Sequence, residues 1–354
     1  MNYSPELLQF ADGRAVTAEN AEERRAEILS ILSRNAYGCF PPRPHHLSGS
    51  MEETGERTCC GHAVEKDVNI IFDTPKGNYF FPVHYFEPVG EGKKPLIVCV
   101  NFRPDRYDKY CPAEEVIDRG FALATFYYED VTSDDGDFTD GLAGMYDRPA
   151  DGTGYGKITL WAFAVSRVID YFSTLDNIDA DNIAVIGHSR LGKTALWCAA
   201  NDPRVKYVCS NDSGCMGAAY HRAHHPGGET LADITRVFPF WFCENLFPYA
   251  KKTGDLPFDQ HLLIAACAPR FVCVNSAEDD AWADPFAEQL SCAAASPMWE
   301  LYGKTGFTGP DSPAKAGDAF AEGSVAYYLR DGLHYLGRAD WNHFMDFITE
   351  AVKR

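Results

Sequence analysis

A chain of 354 residues, 45% hydrophobic and 13% aromatic, can cover a large sheet on both faces, and it has no run of about twenty apolar residues that would predict a membrane span. A formal net charge of −19 argues against general binding to nucleic acid or to an anionic membrane surface. The start, MNYSPELLQFADGRAV, has neither the basic nor the apolar region of a secretory signal, and the twelve scattered cysteines read as reduced thiols, so a cytoplasmic protein is expected.

Residues 21–36 predict an amphipathic helix with Ile28, Leu29, Ile31 and Leu32 on its apolar side, ended by CFPPRPHH from Cys39. Residues 1–45 are therefore expected to form an N-terminal helical cap on a catalytic domain of residues 46–354, the two making one structural unit. Cys59 and Cys60 lack a CxxC partner and read as free thiols rather than a zinc site. Residues 68–72 and 79–86 alternate as antiparallel strands joined through Pro75-Lys76-Gly77-Asn78. Residues 96–101, 122–128, 182–186, 207–210 and 271–275 read as parallel strands with helices between most of them, which implies a three-layer α/β sandwich. Residues 129–156, rich in Asp and Gly, lack the spaced ligands of a calcium loop and read as a solvated loop near the pocket. The helix predicted over residues 157–175 carries Ile158, Trp161, Val165, Val168, Ile169 and Phe172 at core spacing.

The sequence Gly187-His188-Ser189-Arg190-Leu191-Gly192-Lys193 follows one predicted strand and opens a helix. A serine on such a turn is pushed above the sheet, with the first N–H groups of the helix aimed at an oxyanion beside it. The order of elements is that of an α/β-hydrolase. Ser189 needs a base from elsewhere, because the elbow points the His188 side chain away. His334 lies after the last predicted strand, residues 325–330, and before the C-terminal helix, where this fold places its base; His221, His224, His225 and His343 read as solvated or core imidazoles. Two carboxylates compete to orient His334: Asp280, after the strand 271–275, and Asp212, after the strand 207–210.

The motifs GHSRLGK, NDSGCMGAA, the Asp280-x-Trp282 pair and GLHYLGRADW resemble the glucuronoyl esterase family of carbohydrate esterases, over most of the chain from about Pro95 to Trp341. Many members carry a glutamate at the position of Asp212 and some bacterial members also keep an acid at that of Asp280; the first is one methylene shorter here, and both stay candidates. The resemblance implies an oxyanion role for Arg190 and sugar contacts for Lys193, Trp282 and Glu229. NFRPDRYDKY replaces the usual family run after the third strand, so Arg103 and Arg106 are expected to alter the pocket wall. The expected activity is a serine carbohydrate esterase acting on esters of (4-O-methyl-)glucuronate in small-molecule or oligosaccharide substrates derived from lignocellulose, without cofactor or metal. Acetyl xylan esterase, pectic uronate methylesterase and a catalytically inactive sugar-binding homologue are the alternatives.

Overall fold

The computed structural model describes residues 4–353, and of residues 53–56 only the backbone. After helix α1 (Ala21–Leu32), the chain enters an antiparallel meander of β1 (Leu47–Thr58), β2 (Ala63–Thr74) and β3 (Gly77–Pro88). It then alternates β4 (Lys94–Asn101), α2 (Ala113–Asp118), β5 (Ala122–Tyr127), α3 (Lys157–Phe172), β6 (Ile178–His188), α4 (Arg190–Asn201) and β7 (Val205–Asn211). Next come α5 (Leu231–Val237), α6 (Gln260–Ala265), β8 (Phe271–Ala277), α7 (Pro285–Ala295), α8 (Pro297–Leu301), β9 (Ala319–Phe320), β10 (Val325–Arg330) and α9 (Arg338–Val352). The ten strands form one sheet in the order β1-β2-β3-β5-β4-β6-β7-β8-β10-β9. Its centre is parallel, while β3 on β5 and β9 on β10 are antiparallel.

Strand alternation divides the core into two layers. Val98, Val185 and Val274 face one cluster with Trp161 of α3 and Trp197 of α4, whereas Ile97, Ile186 and Cys273 face a second with Val116 of α2 and Trp341 of α9. Both sides of the sheet are thus covered, as continuous apolar strands require. Residues 4–45 pack onto the same unit: Arg25 donates to Ala266 O at 2.8 Å and to Ala200 O at 2.9 Å, which joins α1 to the ends of α6 and α4.

Two features depart from expectation. The polar segment LSGSMEETGERT forms the edge strand β1, which alternation does not reveal because one side of an edge strand meets water and charge there discourages further pairing. Arg103 and Arg106 do not line the site pocket: Arg106 donates to Glu65 at 2.8 Å and to Asp67 at 2.6 Å on β2, and Arg103 lies 3.6 Å from Asp108. Acidic groups on the neighbouring strand and loop attract both guanidinium groups away from the pocket.

Candidate active site

The parallel strands deliver the site from their carboxyl ends, the usual position in an open α/β sheet. Ser189 follows β6 with φ +56° and ψ −126°, a conformation costly for a side chain with a Cβ. Its N–H donates to Asn211 O at 2.8 Å, and its carbonyl accepts from Gly192 N–H at 2.9 Å and Lys193 N–H at 3.1 Å. The turn is possible because a Cβ on Gly187 would stand 2.0 Å from Leu191 O, and one on Gly192 2.9 Å from Ser210 Oγ. Arg190 and Leu191 open α4, where geometry leaves N–H groups without an intrahelical acceptor.

His334, on the loop between β10 and α9, directs Nδ1 at Asp280 Oδ2, 2.6 Å away. This contact fixes the tautomer and leaves Nε2 for a reacting group. Asp280 sits on the loop after β8, where its Oδ1 also accepts from Ala283 N–H at 3.3 Å. Asp212 follows β7 and is bound differently: its Oδ2 accepts from Arg330 at 3.1 Å and from Tyr335 N–H at 3.4 Å, and its buried Oδ1 has no partner. Burial pushes the Asp212 carboxyl well above the usual range, with Glu288 and Asp280 adding to the effect and Arg330 opposing it. Ligating atoms of Asp212, Asp280 and His334 all lie within 4.8 Å of one another. The positive charge among these groups is Arg330, which also bonds Asp340 at 2.8 Å and the carbonyls of Leu333 and Tyr335.

His188 does not line the pocket, yet its ring centroid lies 4.4 Å from that of His334. Its Nδ1 bonds Asn211 Oδ1 at 2.6 Å, and burial lowers its pKa to about 3, so it packs as a neutral ring.

Around these groups opens a pocket of ≈350 Å³ lined by Ser189, Arg190, Lys193, Asp212, Glu229, Trp241, Trp282 and His334, among others. Arg190 pairs with Asp134, and its guanidinium lies 4.7 Å from the Trp241 ring. Trp241 in turn donates to Asp134 Oδ1 at 2.6 Å and stacks on Phe238 at 3.9 Å. Lys193 is buried and donates to Ser213 O; burial lowers its pKa while Glu229 opposes that. The same burial raises Glu229. Trp282 is 53% exposed and forms an open rim.

The glucuronyl esterase family, fungi, matches residues 81–303. The chain belongs to the glucuronoyl esterase family. A carbohydrate esterase of an unknown prokaryotic organism is 32% identical over 389 residues, covering 97% of this chain and 88% of its own. The solved glucuronoyl esterase from Solibacter usitatus is 30% identical with a TM-score of 0.89, covering 99% of this chain and 98% of its own. A 4-O-methyl-glucuronoyl methylesterase of Podospora anserina is 28% identical over 303 residues, 83% of this chain and 59% of that protein. Like its relatives, this glucuronoyl esterase family member is a carboxylic ester hydrolase with an α/β-hydrolase fold.

The structure brings all eight candidates from the sequence, Ser189, Arg190, Lys193, Asp212, Glu229, Asp280, Trp282 and His334, to one pocket. Sequence reasoning missed Asp134, Phe238 and Trp241. Asp134 lies in the acidic loop with nothing local to distinguish it from its neighbours, and FPFWF reads as core. The same acidic loop has a cation of its own: the buried Lys157 ammonium meets Thr132 Oγ1 at 2.8 Å, Ser133 Oγ at 3.2 Å and Asp140 at 3.3 Å.

Proposed function

We propose that the chain hydrolyses esters of (4-O-methyl-)glucuronate through an acyl-enzyme on Ser189. The observation that carries this reading is the 2.6 Å contact of His334 Nδ1 with Asp280, made beside Ser189 in a pocket lined with sugar-compatible groups. His334 takes the hydroxyl proton as Ser189 Oγ attacks the carbonyl, and Asp280 stabilises the imidazolium. The N–H groups opening α4 and the Arg190 guanidinium stabilise the oxyanion. As the tetrahedral intermediate collapses, the C–O bond to the alcohol breaks and His334 returns the proton to the leaving oxygen. Water, deprotonated by the same imidazole, then attacks the acyl carbonyl; as this second tetrahedral intermediate collapses the C–Oγ bond breaks, His334 returns the proton to Ser189 Oγ, and the uronate leaves.

Trp282 supplies a ring face for a pyranose, and Lys193 with Glu229 supplies a donor and an acceptor for its hydroxyls. Small or oligosaccharide esters from lignocellulose suit this open pocket. The cysteines, none of them in a disulfide among the described residues, support a reducing compartment.

Hydrolysis of methyl or benzyl glucuronate, measured beside an aryl acetate, tests the reading. Faster turnover of the glucuronate ester is expected. Turnover of the acetate alone would instead support a deacetylase.

A further inference from the structure

Behind Ser213 and Gly214, which line the pocket, lies a buried carboxylate that the proposed reaction does not use. Glu288, on α7, has no exposed surface, and it accepts from Gly214 N–H at 2.8 Å, the Ser213 hydroxyl at 3.1 Å and the Ser276 hydroxyl at 2.5 Å. Burial raises its pKa to about 7, and its three donors are what make a carboxyl group tenable there.

The turn it grips is strained. Asp212 has φ +45°, Gly214 +57° and Met216 +57°. Neighbours also crowd this backbone: a Cβ on Gly214 would stand 3.1 Å from Ala283 Cα, and one on Gly217 would stand 2.6 Å from Ser213 Oγ. Non-glycine residues keep such angles only where the surroundings over-determine them. Ser213 is the link to the pocket, since its carbonyl accepts the Lys193 ammonium. Asp280 touches this turn through Ala283 but has anchors of its own, the bonds of Glu278 N–H to Arg330 O at 2.9 Å and Asp279 N–H to Gly332 O at 3.0 Å, which leave it less dependent on Glu288 than Ser213 is.

We propose that Glu288 is a positioning residue for sugar recognition: it fixes the turn after β7 so that the Ser213 carbonyl holds Lys193 toward the substrate hydroxyls, thereby favouring uronate esters over simple esters. The proposal rests on the glucuronoyl reading of the pocket.

The test is a comparison of Glu288→Ala and Glu288→Gln on methyl glucuronate and on an aryl acetate, with Lys193→Ala as a second background. Glu288→Ala should raise KM for the glucuronate ester about tenfold, with kcat and the acetate rate within about threefold of the parent. Glu288→Gln, which keeps the acceptor facing Gly214 and Ser213, should restore most of the KM. In the Lys193→Ala background, Glu288→Ala should add no further KM loss. Equal losses on both substrates, no loss on either, or full additivity with Lys193→Ala would overturn the proposal. If Glu288→Ala does not fold, Ser213→Ala removes one of the same bonds and should shift KM in the same direction; an unchanged KM there would overturn it too. A parent that cleaves the acetate but not the glucuronate ester overturns the substrate reading itself, and the positioning role with it.

Discussion

Ser189 owes its exposure to a backbone conformation that the two flanking glycines and the bond to Asn211 O make possible. Ser189→Ala should keep the melting temperature and lower kcat by about 10⁴-fold or more; a smaller loss would point to another nucleophile. Asp280→Ala should cost kcat more than Asp212→Ala does, because the bond to His334 Nδ1 belongs to Asp280 while Asp212 is engaged by Arg330. Single-turnover rates of the two variants check this ordering. The placement of Ser189 and His334 on strand-end turns was legible in the sequence because each follows a recognisable strand and precedes a helix. The choice between the acids was not, since both follow a parallel strand and only the side-chain direction separates them. His188 was half legible: strand alternation keeps it off the pocket lining, but nothing local places its ring against His334.

At the scale of elements, the buried α7 carboxylate and the lysine that opens α3 each hold a loop. Glu288 has a usual pKa of 4.5 that burial raises to about 7. The unfolded chain releases this proton first, so the contribution of the group is complete below pH 4.5 and is lost as pH rises through about 7. Glu288→Gln does not titrate. The stability of the parent relative to this variant should therefore fall by about 3 kcal/mol from pH 4.5 to 7.5, as measured by urea unfolding; parallel pH curves would contradict it. Lys157→Met removes the ammonium that binds Thr132, Ser133 and Asp140, and should cost about 1–2 kcal/mol, because the buried Thr132 hydroxyl loses a donor while the half-exposed Asp140 carboxylate turns to water. Since the same loop carries Asp134, which holds Arg190 and Trp241, kcat should fall as well. Thermal melts and single-turnover rates together check both effects. The helix α3 and the parallel strands were readable from apolar periodicity. The order of the sheet, the polar edge strand β1 and the lysine inside the acidic loop were not, because they depend on pairing between distant segments.

For the whole molecule, a net charge of −19 governs encounter more than chemistry. A xylan fragment that carries free uronates beside its ester should bind better as salt screens the repulsion, over a Debye length falling from about 30 Å at 0.01 M to about 8 Å at 0.15 M. The KM for neutral methyl glucuronate should stay flat over that range, and a salt-independent KM for the charged fragment would contradict the argument. The ends of β7, β8 and β10 meet at Arg330, which binds Asp212, Asp340 and two carbonyls of the His334 loop at once. One guanidinium is thus the common fastening of a strand-end carboxylate, the first turn of α9 and the loop that carries His334, so that a displacement of any one of them is passed to the other two.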